Sequence, residues 1–342
     1  MREGAGMRAP EKVLLGHGSG GRLSRDLVEK FFLKFFANPA LLPLEDSAVV
    51  GAGAEALAFT TDSYVVTPVE FPGADIGRVA VCGTVNDLAV KGARPLALSA
   101  GFILEEGFPL DLLGRVCASM RRAAREAGVH IVTGDTKVVE KGKADGIFIN
   151  TSGVGLLPRG RGLSSSAVRP GDTIIVSGVL ADHGVAVMNA RNKLGLRGGI
   201  KSDAAPLNGL VAAALRFPGV RAIRDITRGG LATVLGEVSG ACGLTAELRE
   251  TEIPVAPATR DACSLLGLDP LYVANEGKLA LFCDPAAAPR VLKALRAHRY
   301  GRNAAAVGAM LREKRPQVRL VTSIGGSRVL TMLEGEQLPR IC

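Results

Sequence analysis

Tryptophan is absent, and with only 3 Tyr and 11 Phe the aromatic share of the 342-residue chain is 4%. Stacking platforms for single-stranded nucleic acid have little to be built from. None of the six cysteines (Cys82, Cys117, Cys242, Cys263, Cys283 and Cys342) forms a C-x-x-C pair, so the usual sign of a zinc or dithiol site is missing. Most sit among apolar neighbours, as small core residues do. No run of about 18 apolar residues exists to span a membrane. The stretch from Met1 to Glu11 lacks the apolar core of a signal peptide. The expectation is a cytoplasmic protein with reduced thiols and no membrane contact. An acidic surplus is lacking too: 42 Lys plus Arg stand against 33 Asp plus Glu, for a net charge of +9. That balance suits acidic partners such as nucleotide phosphates. Because 30 of the 42 basic residues are scattered arginines, charge alone assigns no nucleic acid, and none is expected.

What is present is ordinary globular material, 47% hydrophobic and 22% charged, which excludes disorder as the main state. The length suggests two domains. Glycine is in excess at 43 residues, without a collagen-like period, so it serves turns, caps and close backbone approaches. The spacing predicts a helix from Ser24, its cap, to Phe36, with Leu27, Val28, Phe31, Phe32, Phe35 and Phe36 on one stripe. Strands are expected at Ala48–Val50, Leu57–Val66, Pro95–Leu104 and Ile147–Leu157, and helices at about Asp75–Lys91 and Leu110–Ala127. The polar, Gly-rich stretch 158–166 reads as a linker. Beyond it, strands are expected near Thr173–Ser177, Leu244–Leu248, Lys278–Cys283, Ala304–Val307 and Val318–Val321. Helices are expected near Ala204–Phe217, Gly229–Gly240, Ala258–Leu266 and Ala286–Arg299. Helices and strands mix without regular alternation, which indicates α+β domains. The division is 1–160, 161–333 and a tail, 334–342.

Six segments carry chemistry. Gly16-His17-Gly18-Ser19-Gly20-Gly21 can present backbone N–H groups to an anion, or be a plain surface loop; it lacks the G-K-[ST] of a Walker loop. Glu45-Asp46-Ser47, Thr61-Asp62-Ser63 and Asn86-Asp87 form an acidic set. Asn86 and Asp87 interrupt the apolar run Val79–Val90, where a carboxylate is costly unless paired or bound to a cation. Asp46, Asp62 and Asp87 offer the hard oxygens that Mg²⁺ prefers when it carries nucleotide phosphates. Gly134-Asp135-Thr136-Lys137 follows apolar residues at a strand end; Lys137 can neutralise phosphate, act as a base, or be a solvated turn lysine. Asp225-Ile226-Thr227-Arg228-Gly229-Gly230 precedes an apolar helix, where Arg228 can clamp phosphate and Asp225 can join the metal set or cap the helix. In Asn275-Glu276-Gly277-Lys278, Glu276 is a candidate base or an ordinary turn residue. The last is Leu338-Pro339-Arg340-Ile341-Cys342. From Glu334 it spans up to ~30 Å when extended, so its thiol can visit a pocket on its own chain or a partner.

Together these segments resemble the HypE family of hydrogenase maturation proteins, the carbamoyl dehydratases. That family lies within the ATP-binding superfamily of aminoimidazole ribonucleotide synthetase, selenophosphate synthetase and thiamine monophosphate kinase. The resemblance runs from the glycine segment to Cys342, and Pro339-Arg340-Ile341-Cys342 is its most specific mark. It implies two α+β domains, the N-terminal one pairing across a homodimer, with ATP bound near that interface. It implies a carboxamide placed on Cys342 by a carbamoyltransferase, HypF, then ATP-dependent dehydration to a thiocyanate. The cyano group passes to iron on the HypC–HypD complex for the nickel–iron hydrogenase centre. Carried over residue by residue, Cys342 bears the group, Glu276 is the base and Lys137 stands near the carbamoyl. Gly18, Gly20, Gly21, Asn86, Asp135 and Arg228 hold ATP, and Asp46, Asp62, Asp87 and Asp225 hold Mg²⁺. Of the first acidic pair, Asp46 is preferred over Glu45 as a ligand. The alternative is another ATP-using member of the superfamily acting on a small molecule. No Cys precedes Cys82, which speaks against selenophosphate synthetase.

Overall fold

The computed structural model describes residues 12–18, 21–52, 55–158, 163–196 and 198–333. The first half contains α1 (Gly21–Leu27), a π-helical turn (Val28–Phe32), α2 (Leu33–Phe36), β1 (Ala48–Ala52), β2 (Glu55–Tyr64), β3 (Glu70–Phe71) and β4 (Ala74–Asp75). It continues with α3 (Ile76–Val90), β5 (Arg94–Glu105), α4 (Leu110–Ala127), β6 (His130–Val139) and β7 (Ile147–Leu157). Its main sheet has the order β1-β2-β7-β5-β6, with only the β5–β6 pair parallel. The second half contains β8 (Thr173–Val176), α5 (Asp182–Asn192), α6 (Asn208–Ala214), β9 (Val220–Asp225), α7 (Gly230–Cys242), β10 (Thr245–Arg249) and α8 (Pro257–Leu266). It ends with β11 (Leu279–Cys283), α9 (Ala288–Ala297), β12 (Ala305–Leu311), β13 (Val318–Val321) and β14 (Ser327–Leu330). Its seven-stranded sheet has the order β14-β13-β10-β12-β8-β11-β9.

Helix α3 is the seam. The Asp75 carboxylate caps it by accepting the Arg78 N–H at 2.8 Å, and Gly92, with φ of 88°, turns the chain out beyond its end. The helix is apolar on nearly every side, and nearly all of its residues are buried, as befits a helix enclosed by structure. One flank packs on the first sheet with Val79, Val81, Cys82 and Val85, and Ala89 and Val90 join the core of the second half beside Leu207 and Leu210. Close approach to the sheet requires Gly153 on β7: a Cβ there would stand 2.8 Å from Thr84 Cγ2 and 2.9 Å from Leu88 Cδ1. Gly153→Ala is therefore expected to cost about 1–3 kcal/mol by overpacking, measured by urea denaturation.

The structure corrects several expectations. The first helix begins at Gly21 rather than Ser24, so Ser24 is not its cap, and Phe31, Phe32, Phe35 and Phe36 are exposed. Gly134 to Lys137 is not a strand end but the middle of β6, an exposed edge strand, whose polar residues imitate a turn. The helix expected over Ala204–Phe217 is only Asn208–Ala214. Helix α5 and strands β9 and β14 were not anticipated. In α5 the burial is too even to give a helical stripe. In β9 two arginines hide the pattern, although Arg221 and Arg224 are both paired with carboxylates. Cys82, Cys263 and Cys283 are buried as expected, whereas Cys117 is exposed. The tail 334–342, with Cys342, lies outside the described residues.

Candidate active site

Five acids from both halves converge at the seam. Asp46 precedes β1, Asp62 lies on β2, Asp87 near the end of α3, Asp225 at the end of β9, and Glu276 just before β11. Strand alternation sets Asp62 on the α3 side, in phase with buried Ala58, Thr60 and Tyr64. Asp87 is carried inward because its helix is enclosed.

The electrostatics show the convergence. Burial, and next the charges of Asp225, Asp46 and Asp62, push the Asp87 carboxyl well above its ordinary value. Burial and the Asp46 charge push Asp225 up to about 8. Asp46 rises to about 6, chiefly by burial, although Arg224 opposes the shift. Asp62 also rises through burial, against the pull of Arg228. The Thr60 hydroxyl stands 2.8 Å from Asp87 Oδ2 and 3.0 Å from the Asp46 carbonyl. With one proton it can donate to only one of them. Arg224 pairs directly with this set: its Nε is 2.7 Å from Asp46 Oδ2 and its Nη2 donates to Glu237 at 2.8 Å.

These buried carboxylates repel one another and are hard oxygen donors, so their chemistry fits Mg²⁺, which takes one or two carboxylates together with phosphates and water. Among the described residues no three His, Cys, Asp or Glu side chains form a ready-made metal site. Glu45 is otherwise engaged: it accepts from the Ser164 hydroxyl at 2.8 Å and the Ser165 N–H at 3.0 Å.

Glu276 is 4% exposed. Burial, then the charges of Asp62, Asp203 and Asp225, hold its proton affinity well above the usual carboxylate range, with Arg228 opposing. Arg228 also reaches the glycine segment by donating to the Gly18 carbonyl, which places that segment against the site. Gly21 has φ of +75°, and a Cβ on it would stand 2.4 Å from the Leu333 carbonyl oxygen. The Arg22 N–H donates to that same oxygen at 2.9 Å. Leu333, the residue before the tail, is thus tied beside the glycine segment. Gly20 lies outside the described residues.

Three candidates are placed differently from the sequence reading. Asn86 was expected at ATP, yet its amide is committed to backbone: Nδ2 donates to the Ala205 carbonyl at 3.1 Å, and Oδ1 accepts the Leu207 N–H at 2.7 Å. Asp135 and Lys137 pair with each other at 2.6 Å on the exposed edge strand. The sheet register aligns Asp62, Thr151, Ala100 and Gly134 in one row. Asp135 and Lys137 are out of phase with it and face the other side of the sheet. Three strand spacings, about 14 Å, separate β6 from β2. Within one chain neither residue joins the acid cluster. Sequence reasoning missed Arg224, Thr60 and Asp203. Arg224 was signalled only by adjacency to Asp225, and Asp203 was hidden at the supposed start of a helix.

A cavity of about 740 Å³ between the two halves is lined by Arg78, Asp203, Lys278 and Tyr300. It includes none of the four aspartates and not Glu276.

The chain matches the family model of the AIR synthase related protein N-terminal domain over residues 44–157 and that of the C-terminal domain over 169–321. It is 53% identical to the carbamoyl dehydratase HypE of Rhodobacter capsulatus, over 97% of this chain and 98% of that protein. A crystal structure of a HypE–HypF complex superposes with a TM-score of 0.85 at 43% identity, covering 91% of this chain and 99% of that one. A crystal structure of the hydrogenase maturation protein HypE in complex with ATP superposes with a TM-score of 0.82 at 47% identity, covering 95% and 98%.

Proposed function

The chain belongs to the AIR synthase related family and, within it, to the HypE carbamoyl dehydratases, and from that premise we propose that it converts an S-carbamoyl group on its own Cys342 to a thiocyanate at the expense of ATP. The observation that carries the site assignment is the buried convergence of Asp46, Asp62, Asp87, Asp225 and Glu276 at the seam. The carboxamide oxygen attacks the γ-phosphorus and ADP leaves. The C–O bond then breaks, phosphate departs, and the nitrogen gives up both protons as the C≡N bond forms. The net change is loss of one water from the carboxamide, matched by hydrolysis of ATP to ADP and phosphate.

Phosphoryl transfer mostly needs positioning and charge neutralisation. Asp46, Asp62, Asp87 and Asp225 would hold Mg²⁺, which supplies that neutralisation when bound. Arg228 and the segment of Gly18, Gly20 and Gly21 are assigned to the phosphates. Glu276 takes a proton from the carbamoyl nitrogen; a base with raised proton affinity in a buried site suits that task. Asn86 serves by holding the backbone around Glu276.

Lys137 and Asp135 are assigned to a homodimer. The sheet face on their side exposes Val50, Phe59 and Ile103, apolar surface that suits a second copy. Pairing there would offer Lys137 to the partner's site. HypF is the proposed source of the carbamoyl group, and the HypC–HypD complex the acceptor of the cyano group. Among the described residues no helix is long and apolar enough to cross a membrane, and a cytoplasmic setting is proposed with these partners.

The test is intact-mass analysis of the protein carbamoylated by HypF, before and after Mg–ATP. Loss of one water from the C-terminal peptide, matched by ADP and phosphate, is expected. A carboxamide that persists with ATP bound would sink the proposal.

A further inference from the structure

The main chain around Glu276 is gripped from three directions. Its N–H donates to Asp203 Oδ1 at 2.9 Å. Its carbonyl accepts the Ala205 N–H at 3.4 Å and lies 3.5 Å from Asn86 Nδ2. Gly277 then passes so close to residue 203 that a Cβ would stand 1.9 Å from the Asp203 carbonyl oxygen. Lys278, one residue further on, donates to Asp203 Oδ2 at 2.8 Å. One buried carboxylate thus holds the residues on both sides of Gly277. Burial works against the charge of Asp203, but Lys278 and His183 outweigh it and keep its carboxyl below the ordinary value. The Glu276 carboxyl, in contrast, makes no hydrogen bond to any described residue. Its aim is therefore set by its backbone, and the backbone is set by Asp203.

We infer that Asp203 is a positioning residue for Glu276: through the Glu276 N–H and the Lys278 ammonium it fixes where the carboxyl of the base points. The inference rests on the proposed role of Glu276 and extends it. Asp203 is not among the groups assigned to the nucleotide phosphates or to the carbamoyl group. It belongs to the irregular stretch leading into α6, and its outer side faces the cavity shared with Arg78 and Tyr300. A base displaced by about 1 Å can lose up to ~100-fold in rate, whereas phosphate binding by the aspartates is left alone. Asp203 should therefore act on kcat and not on KM for ATP.

The experiment uses full-length protein carbamoylated by HypF, with thiocyanate formation followed in single turnovers and steady-state ADP release giving KM. Asp203→Ala is expected to lower the rate roughly 10- to 100-fold with KM for ATP within about twofold. Asp203→Asn, which keeps an oxygen for the Glu276 N–H, is expected to recover most of the loss. Should Asp203→Ala fail to fold, Asp203→Ser takes its place, its shorter side chain withdrawing the acceptor. A rate within about threefold of wild type in the Ala or Ser variant overturns the inference. So does a loss confined to KM, or no recovery in Asp203→Asn. Glu276→Gln is measured alongside. If it is active, the base is misassigned and the inference falls with it; if it is inactive beside a fully active Asp203→Ala, only the role of Asp203 is overturned.

Discussion

Asp87→Asn is expected to reduce Mg–ATP turnover by roughly 10²–10³, the scale of losing one charge-stabilising group at a reacting phosphate, while the fold survives. The side chain keeps its shape, and its Oδ2 partner, the Thr60 hydroxyl, still finds an acceptor. Stability should even favour the variant at alkaline pH. Without a bound cation, the folded protein holds protons on Asp46 up to about 6 and on Asp225 up to about 8, and Asp87 is raised as well. The unfolded chain releases its carboxyl protons near pH 4. Between those limits the native state binds more protons, so its stability falls as pH rises. Stability from these groups is complete below pH 4 and is lost as pH climbs through about 6 and then about 8. Removing the Asp87 charge relieves its neighbours and flattens the decline. Urea denaturation at pH 6 and pH 8.5, with ADP release assayed in parallel, checks both halves of the claim. Full turnover in Asp87→Asn would remove Asp87 from the site.

Mixing two inactive proteins should restore activity. Lys137 faces the opposite side of its sheet from Asp62, and under the proposed homodimer it would serve the acid cluster of a second copy. A heterodimer of one Lys137→Ala subunit and one Glu276→Gln subunit has one site with both residues intact and one with neither. Random exchange makes half the dimers mixed, so the mixture should reach about one quarter of wild-type thiocyanate formation. Each variant alone should give essentially none. If Lys137 acts within its own chain, every site lacks one residue and mixing restores nothing. Native mass spectrometry, which separates the mixed dimer by the mass lost in Lys137→Ala, shows whether exchange has occurred, and an inactive mixture of exchanged dimers would rule out action across the interface.

Asp87 was legible because a carboxylate stands inside an otherwise apolar helical run, and burial of a charge is too costly to be incidental. Asp46, Asp62 and Asp225 were legible as acids beside strand or helix signals. Their convergence was not, because it depends on how β2, β9 and α3 meet, which no local pattern encodes. Asn86 shows the limit most clearly. It shares the segment of Asp87 and reads as its companion at the nucleotide, yet its amide satisfies backbone groups more than a hundred residues away. Asp135 and Lys137 were identified as a motif, but the edge strand that carries them is too polar to reveal itself, so the side they face could not be known. Most element boundaries followed from periodicity. Failures fell where burial was even, as in α5, or where ion pairs let arginines enter a strand, as in β9.

The burial of α3 also bears on how the chain is made. Its Asn86 amide waits for the backbone at Ala205 and Leu207, and Ala89 and Val90 wait for Leu207 and Leu210. A ribosome has synthesised the whole first sheet, through Leu157, some fifty residues before those partners appear. During that interval a polar amide and an apolar flank of the seam helix stand uncovered. The acid cluster is complete only once Asp225 and Glu276 of the second half stand beside Asp46, Asp62 and Asp87.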